Sequence, residues 1–489
     1  MGTNKDASIV IIGAGCAGIT SARYLEDAGY TNITILEKSA FLGGCCKSLH
    51  YDDYPDVYEM GAIEVGKIGY DHITAFLDEF GLSCEDMPSV ELMDPEHGNP
   101  DLWKPDSFKT SSLSILERIR YYEEIVLYGL LLVEHLDLVK PGFNKLPDSI
   151  CISFAEWCKQ HDIKFLQRAF FSLITAYGYG YLGFDEDDLI PLPYVMKYLG
   201  PTELLPRLSA KGLIDEIDHH LPDLVAAGLG ALTRGEGNML TRIKDVGFQG
   251  LMDRIAKALK HTTIKTSAQI TSIKRTTESV QLSYTQGGVT TEAQFDKMII
   301  SFHQNLDNLE KCGLDVREDE SDLFKNVKFR NYYTMTVPVS AFAKNSHVYE
   351  ENLHYSDIAK EPVLNLCPKC DFPFQFFIPA NKQNPDDKAM AVFYSYAKES
   401  VTVDQIKDNL VKNLKEMVNE DIQVTDIREG IGWQYFAHVD ACHLKEGWYD
   451  KVNAIQGKNN TYWAGSLFNF ELTERTAAFS DYLVKTYFT

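Results

Sequence analysis

The segment ASIVIIGAGCAG, residues 7–18, gives the strongest structural signal in the chain. Its first half is a continuous, largely β-branched apolar run, which is typical of a strand buried on both faces of a parallel sheet. Its second half has the spacing G-x-G-x-x-G and leads into a helical stretch, residues 19–28, that ends at Gly29. A second apolar strand, residues 33–36, follows. This order predicts a Rossmann-type βαβ unit that binds a dinucleotide.

Each glycine of this motif has its own expected role. Gly13 permits a tight turn, Gly15 lets the backbone approach a pyrophosphate, and Gly18 lets the helix pack closely on the strand. The free N–H groups at the start of the helix would bind the phosphates. Glu37 closes the second strand about twenty residues after the motif begins, where a carboxylate would accept hydrogen bonds from ribose hydroxyls.

A second match to the same spacing, Gly178-Tyr-Gly180-Tyr-Leu-Gly183, has a different context. It follows an apparently helical stretch, residues 165–176, and opens no helix of its own. We therefore interpret it as a glycine-aromatic loop. The sequence predicts one dinucleotide site and no separate nicotinamide domain.

Composition is that of a large folded protein. A chain of 489 residues, 45% hydrophobic and 24% charged, predicts two or more domains. The formal net charge of −23 argues against non-specific binding to nucleic acid or to acidic membranes. The longest apolar stretch, residues 125–133, is about half of a membrane span and predicts a buried or surface-docking helix.

Cysteine usage and the N-terminus suggest the compartment. Ten cysteines without an apolar leader before the first strand predict reduced thiols and a cytoplasmic location. Cys367 and Cys370 form one C-x-x-C pair, but a zinc site needs a second ligand pair and none follows at a suitable spacing. We expect no metal.

The residues after Glu37 distinguish FAD from NAD. The segment Lys38-Ser-Ala-Phe-Leu-Gly43-Gly44 continues into a loop, and Tyr58-Glu-Met-Gly-Ala62 comes shortly afterwards. These resemble the E-x(5)-GG and E-x-G-A segments of the flavin amine-oxidase-like superfamily. The resemblance implies non-covalently bound FAD, with the glycine backbone along its ribityl chain.

Later segments are similar to the same superfamily. Gly247 opens a predicted helix, Ile270 would present its backbone to the adenine side of FAD, and a helix over residues 474–485 would point its N-terminus at the flavin pyrimidine. The cofactor contacts implied by the motifs and by this resemblance are Gly13, Gly15, Cys16, Ala17, Gly18, Glu37, Lys38, Gly43, Gly44, Cys45, Met60, Gly61, Ala62, Ile270, Gly465, Ser466, Glu474, Arg475 and Thr476.

Two positions depart from the superfamily pattern. Cys45 stands where many members have Arg or Lys directly after the paired glycines. Ser466 follows Gly465, where an acidic residue commonly meets the ribityl chain. A covalent flavin or a redox pair at Cys45 and Cys46 is disfavoured, because adjacent cysteines pair badly.

More narrowly, the sequence resembles the bacterial polyunsaturated fatty acid isomerases of the linoleate isomerase type. The segments that carry this resemblance span most of the chain, and residues 90–156 match less clearly; they are residues 58–63, 175–180, 194–199, 447–452 and 456–465. The resemblance implies an FAD-dependent double-bond isomerase in which a hydride leaves a methylene between two double bonds and returns at another carbon.

The expected fold class is α/β, with an amine-oxidase-like architecture. A Rossmann-type FAD-binding domain (1–81, 236–310 and 430–489) would be interleaved with a helical cap and substrate insert (82–235) and a mixed-sheet substrate domain (311–429). The chemistry would belong to flavin N5, so no catalytic residue is assigned, and His303 is interpreted as structural or as a support for residues that contact the cofactor.

The insert is rich in aromatic residues, which suits a small apolar substrate such as a free polyunsaturated fatty acid. A run of rings at helical spacing can instead be core, and we favour that interpretation for residues 165–171. The candidates for the substrate pocket and for anchoring its carboxylate are Tyr177, Tyr179, Tyr181, Arg168, Lys197 and Arg234.

Two other functions stay open. One is an FAD-dependent dehydrogenase or oxidase of an amine, a terpenoid or another secondary metabolite, because one fold hosts many chemistries. The other is a protein that binds flavin without catalysis. The oligomeric state is not indicated.

Overall fold

The computed structural model describes residues 4–86, 90–91, 114–174, 177–180, 189–200, 240–340, 348–350, 373–377, 388–397, 402–408, 423–424 and 426–489. The strands are β1 (Ile9–Ile12), β2 (Ile33–Leu36), β3 (Ser48–Tyr51), β4 (Tyr54–Glu59), β5 (Val65–Gly66), β6 (Cys84–Asp86), β7 (Val90–Glu91), β8 (Leu240–Ile243), β9 (Thr262–Lys265), β10 (Gln269–Arg275), β11 (Val280–Gln286), β12 (Val289–Phe295), β13 (Lys297–Ile300), β14 (Lys328–Ser340), β15 (Val348–Glu350), β16 (Pro373–Phe377), β17 (Lys388–Ala397), β18 (Gln423–Val424), β19 (Glu429–His438) and β20 (Thr461–Trp463).

The α-helices are α1 (Cys16–Asp27), α2 (Asp71–Glu79), α3 (Ile115–Glu134), α4 (Phe154–Gln160), α5 (Phe165–Ile174), α6 (Leu192–Tyr198), α7 (Gly247–Ala258), α8 (Leu306–Lys311), α9 (Glu318–Phe324), α10 (Ala441–Lys445), α11 (Trp448–Asn453) and α12 (Thr473–Tyr487). Short 3₁₀ helices lie at Leu136–Val139, Asp148–Ile150, Lys458–Asn460 and Ser466–Phe468.

A parallel sheet in the order β20-β13-β1-β2-β9 confirms the predicted Rossmann-type core. Ile9 pairs with Ile33 on one side and with Lys297 on the other, so β1 is an interior strand. All four residues of β1 are buried. An uninterrupted β-branched run suits this position, because helices cover both faces of a parallel sheet.

Helix α1 begins earlier than the apolar pattern predicted. It starts at Cys16 rather than at residue 19, and the N–H of Ile19 donates to the carbonyl of Gly15. The C-terminal end is close to the prediction, since Gly29 adopts φ +90° directly after Ala28. A glycine in this left-handed conformation is a common helix terminator.

A three-stranded antiparallel sheet, β10-β11-β12, is attached to the parallel sheet through β9. Alternate residues of β11, Val280, Leu282 and Tyr284, are buried. This alternation is typical of a strand with one face against the core. The turn between β9 and β10 brings Ile270 to the carboxyl edge of the parallel sheet.

The mixed sheet follows the order β18-β14-β17-β16-β15-β7, with β19 paired to β14. Strand β14 is its centre: Tyr332 pairs with Tyr396 of β17 on one side and with Trp433 of β19 on the other. Strand β7 belongs to the predicted insert (82–235), yet it pairs in parallel with β15 of the predicted mixed-sheet domain (311–429). These two parts of the chain therefore contribute to one sheet. The division into three domains stays a prediction.

A helical layer, α3 to α6, packs around stacked aromatic side chains. Tyr128 contacts Phe170 edge-to-face with ring centroids 5.1 Å apart, and Phe154 stacks on Phe170 at 5.7 Å. Ser114 caps α3 in a capping box with Glu117. Phe170, in the stretch 165–171 that had two interpretations, therefore belongs to the core.

Helix α3 includes the longest apolar stretch of the sequence. Tyr128 and Leu132 are buried, whereas Val126, Leu130 and Val133 are exposed. Within the described residues, no helix is both long and apolar enough to span a membrane.

Candidate cofactor and active site

Motifs that lie far apart in the sequence meet around a cavity of about 480 Å³. The cavity lies at the carboxyl edge of the parallel sheet, where open α/β sheets bind their ligands. Most of the predicted cofactor residues line it, and they are Gly13, Gly15, Cys16, Ala17, Glu37, Lys38, Gly43, Gly44, Cys45, Gly61, Ala62, Ile270, Gly465, Ser466 and Thr476.

The turn between β1 and α1 excludes side chains. Gly13 adopts φ +103°, which L-residues rarely adopt, and a β-carbon on Gly18 would lie 2.0 Å from the Gly13 carbonyl oxygen. Gly18 itself does not line the cavity; its lack of a side chain sets how closely α1 approaches the turn. The N–H of Gly43 donates to Ala14 at 2.8 Å and holds the paired-glycine loop beside the turn.

The N-terminus of α1 is suited to an anion. Gly15 is the N-cap, and within the described part of the chain no side chain caps this end. The first turn also contains no acidic residue. Unpartnered N–H groups and the helix dipole favour a negatively charged group here, such as a pyrophosphate.

Glu37 is fixed by the backbone on both sides. One carboxylate oxygen accepts a hydrogen bond from the Ala14 N–H, and the other accepts one from the Ser39 N–H, each at 2.7 Å. A carboxylate has about four lone-pair sites, so each oxygen can accept another hydrogen bond. This geometry is suited to ribose hydroxyls.

The E-x-G-A segment passes tightly along the paired-glycine loop. A β-carbon on Gly61 would lie 1.9 Å from the Cys45 carbonyl oxygen, and the N–H of Ala62 donates to that oxygen at 3.0 Å. Glu59 turns away and accepts a hydrogen bond from the N–H of Phe248 in the first turn of α7. Burial raises the pKa of Glu59 to about 8.

Cys45 presents a neutral thiol to the cavity. Burial, and to a smaller extent the charge of Glu471, raises the pKa of Cys45 far above its ordinary value. A protonated thiol is a poor nucleophile, which argues against a covalent bond from Cys45 to flavin.

Aromatic side chains form one wall. Tyr177 and Tyr179, both predicted pocket residues, line the cavity together with Trp433 and Tyr435 of β19. The Tyr179 and Tyr435 rings stack with centroids 5.6 Å apart, and the Tyr435 hydroxyl donates to the Tyr179 hydroxyl at 3.0 Å. The Tyr177 hydroxyl donates to the Glu64 carboxylate at 2.6 Å.

The glycines between these tyrosines are required by their neighbours. Gly178 has φ +78° and Gly180 has φ +112°. A β-carbon on Gly178 would lie 2.6 Å from the Tyr332 ring. In residues 177–180, the second G-x-G-x-x-G match is thus a turn packed on β14, as its context predicted.

No sequence motif indicated Glu471, which lines the cavity two residues before α12. The Ser466 hydroxyl donates to it at 2.6 Å, and His303 Nε2 lies 3.6 Å from its other oxygen. Burial alone would raise the pKa of Glu471, but His303, Ser466 and the N–H of Ala437 together hold it below its usual value. His303 thus lines the site beside an ionised carboxylate.

Besides Gly18, three other predicted cofactor residues do not line the cavity. Met60 is buried and its carbonyl accepts the Thr334 hydroxyl. Glu474 caps α2 by accepting hydrogen bonds from the N–H groups of His72 and Ile73. Arg475 donates to the carbonyl of Val139.

Lys197 corrects a prediction about the substrate carboxylate. Its ammonium is buried and donates to the carbonyls of Leu138, Lys140 and Gly142. Its three hydrogens are therefore used within the helical layer, away from the cavity. Of the other candidates, Tyr181 and Arg234 lie outside the described residues, as do Cys367 and Cys370, and the Arg168 side chain is likewise not described.

The cavity lining includes further residues that the sequence did not indicate. They come from the start of β10, the loop after β13, and α8 with the residue after it, and they are Gln269, Phe302, Asn308, Lys311 and Cys312. Asn308 donates a hydrogen bond to Gln434, the residue between Trp433 and Tyr435.

Comparison with known proteins agrees with this geometry. The family described as flavin containing amine oxidoreductase matches residues 16–466. An FAD-dependent oxidoreductase of Apiospora sacchari is 21% identical over 483 residues, covering 95% of this chain and 89% of its own.

Solved structures share the fold along the whole chain. The conjugated linoleic acid (CLA)-producing fatty acid isomerase of P. acnes has a TM-score of 0.75 at 22% identity, covering 99% of this chain and 100% of the isomerase. A putrescine oxidase variant has a TM-score of 0.58 at 13% identity, with 98% of both chains covered. The protein is thus an FAD-dependent flavoenzyme with an amine-oxidase-like α/β fold, and it belongs to the flavin containing amine oxidoreductase family.

Proposed function

We propose that this protein is an FAD-dependent double-bond isomerase that acts on free polyunsaturated fatty acids without net oxidation. The observation that carries the proposal is the resemblance to linoleate-type isomerases outside the cofactor motifs. One segment that carries it, residues 175–180, includes Tyr177 and Tyr179 of the aromatic wall. The fold likeness to the fatty acid isomerase of P. acnes supports the same choice.

When bound, FAD supplies a group that can take a hydride from a methylene between two double bonds and give it back at another carbon. The chain's own residues bind and orient the cofactor through the α1 N-terminus, Glu37 and the glycine loops. The apolar bodies of Tyr177, Tyr179 and Trp433 exclude water from the reacting carbons.

Carboxylates in the lining suit the charge that this chemistry creates. Removal of a hydride leaves a delocalised positive charge on the substrate. Glu471 lies in the same lining as Glu64 and the aromatic side chains. Negative side chains and ring faces both attract a cation in a water-poor site.

The carboxylate of a fatty acid needs a cationic partner. Of the lysines in the described lining, Lys38 is a predicted cofactor contact and Lys311 forms an ion pair with Asp307. We therefore propose Arg168 and Arg234 as the anchors, with Tyr181 as a further pocket residue.

The same carboxylates favour a second function, oxidation of an amine. Glu64 and Glu471 would also attract an ammonium group, and the relative from Apiospora sacchari is an FAD-dependent oxidoreductase. The two reactions differ in electron balance, because only oxidation consumes an acceptor such as oxygen.

The test is incubation of the FAD-loaded protein with linoleic acid and other polyunsaturated acids under anaerobic conditions. Conjugated-diene absorbance should rise while the flavin stays oxidised at steady state. The protein stripped of FAD serves as the control and should form no diene. If none of these acids forms a diene and the protein consumes oxygen when amines are added, the isomerase proposal is rejected and amine oxidation becomes the proposed function.

A further inference from the structure

A fixed negative charge lies in the wall of the FAD cavity, at Glu471. Its side chain is only 11% exposed. Ser466 and Ala437 donate hydrogen bonds to the carboxylate, and His303 lies beside it. Hydrogen bonds to the charged form of an acid stabilise that form, which agrees with a pKa below the usual glutamate value.

The backbone around Glu471 is strained on two sides. Phe470, directly before Glu471, adopts φ +92°, and Phe436, between Tyr435 and Ala437, adopts φ +51°. Such angles are unusual for bulky residues and persist only where the surroundings impose them. They hold the Glu471 carboxylate and the Ala437 N–H in contact.

Glu471 lies among the residues that surround the cofactor. Gly465 and Ser466 line the cavity on one side of it in sequence, and Thr473 and Thr476 line it on the other. After burial, the charge of Glu471 is the second cause that raises the pKa of the Cys45 thiol in the paired-glycine loop. The carboxylate therefore faces the cavity from the connection between β20 and α12.

We infer that the carboxylate of Glu471 makes the bound FAD harder to reduce and thereby promotes return of the hydride to the substrate. A hydride carries two electrons and one proton, so its transfer adds one negative charge to the cofactor and leaves one positive charge on the substrate. A nearby anion repels the first charge and attracts the second. The same two electrons and proton then return to carbon, and no external acceptor is needed.

Only the consequence for hydride return depends on the proposed function. The effect on reduction of FAD is a property of the FAD-loaded protein without substrate. The two parts can therefore fail separately.

The test is a reductive titration of the holoenzyme with a reference dye, comparing wild type with Glu471→Gln. At equal potential, the ratio of reduced to oxidised flavin should rise at least tenfold in Glu471→Gln, which is about 30 mV for a two-electron couple. Glu471→Asp keeps the charge and should follow wild type, whereas a purely structural role would make the Asp and Gln variants alike. Glu278→Gln, on an exposed turn, is the matched control.

His303→Gln provides a second, independent arm. In titrations at acidic pH, where an imidazole is protonated and positively charged, its loss beside the carboxylate should shift the ratio toward oxidised flavin, opposite in sign to Glu471→Gln. If Glu471→Gln cannot retain FAD, the result for His303→Gln decides the question. The inference would be overturned if FAD-loaded Glu471→Gln had the wild-type ratio of reduced to oxidised flavin. If Glu471→Gln binds no FAD, the wild-type ratio in His303→Gln would overturn it. A shifted ratio without any diene formation would leave it standing and reject the isomerase instead.

Discussion

A β-carbon on Gly18 would lie 2.0 Å from the carbonyl oxygen of Gly13, well inside van der Waals contact. An alanine side chain at position 18 and the turn after β1 cannot both occupy their present positions. We predict that Gly18→Ala displaces the N-terminus of α1 from the phosphate site and weakens FAD binding at least a hundredfold. Flavin fluorescence during reconstitution of the apoprotein measures this.

Gly129→Ala is the matched control for that substitution. Gly129 lies inside α3, and its added β-carbon would meet nothing within 4 Å. Alanine is favoured over glycine in a helix by about 1 kcal/mol, so this variant should bind FAD normally with unchanged or higher stability. Equal FAD affinity in the two variants would show that the close approach of Gly18 to the Gly13 carbonyl does not determine FAD binding.

Glu37→Gln tests the ribose site. The substitution keeps the shape but replaces one oxygen, which accepts a backbone N–H at 2.7 Å, with an NH₂ donor. Two donors would then face each other, and the side chain would turn. We expect FAD affinity to fall at least tenfold, as measured by titration of apoprotein, whereas the exposed Glu292→Gln should bind as wild type. Unchanged FAD affinity would show that the Glu37 carboxylate does not bind the ribose.

Lys197→Met tests the corrected assignment. The substitution leaves the buried carbonyls of Leu138, Lys140 and Gly142 without their donor, and an unsatisfied buried polar group costs about 1–3 kcal/mol. The Tm should fall by several degrees while the flavin spectrum and the KM of turnover stay unchanged. The exposed Lys164→Met should have the wild-type Tm. A raised KM at wild-type Tm would restore Lys197 as a substrate anchor.

Glu474 gives a prediction about pH. Burial raises the pKa of Glu474 to about 7, so folding favours the protonated acid. Its contribution to stability is greatest below about pH 4.5, its usual pKa range, and is lost as the pH rises through 7. Relative to Glu474→Gln, which cannot ionise, wild type should lose several degrees of Tm between pH 5 and pH 8. A constant difference between the two proteins would contradict this.

Short-range signals were the predictable part of the site. Gly13, Gly18 and Glu37 could be assigned because their roles depend on backbone conformation within about thirty residues of chain. The βαβ unit formed by β1, α1 and β2 followed from the same signals and is confirmed.

Long-range partners were not predictable. Lys197 lies in an apolar helix, and nothing local indicates that its partners are carbonyls more than fifty residues earlier. Glu471 depends on His303, in the loop after β13, and on Ala437, in β19, which only the fold brings together. The sequence showed only that Ser466, after Gly465, replaces the acidic residue that commonly follows this glycine. In the structure, Glu471 supplies a carboxylate at this place, and it accepts a hydrogen bond from the Ser466 hydroxyl.

The most direct test of the isomerase is the fate of the transferred hydrogen. Linoleic acid carrying deuterium on the methylene between its double bonds is converted anaerobically, and the conjugated product is analysed by mass spectrometry and NMR. The proposal predicts that one deuterium leaves that carbon and reappears at another carbon of the same molecule, with the oxidised flavin regenerated. Loss of the deuterium to solvent, or a product lacking two hydrogens, would contradict hydride return and identify the protein as a net oxidant.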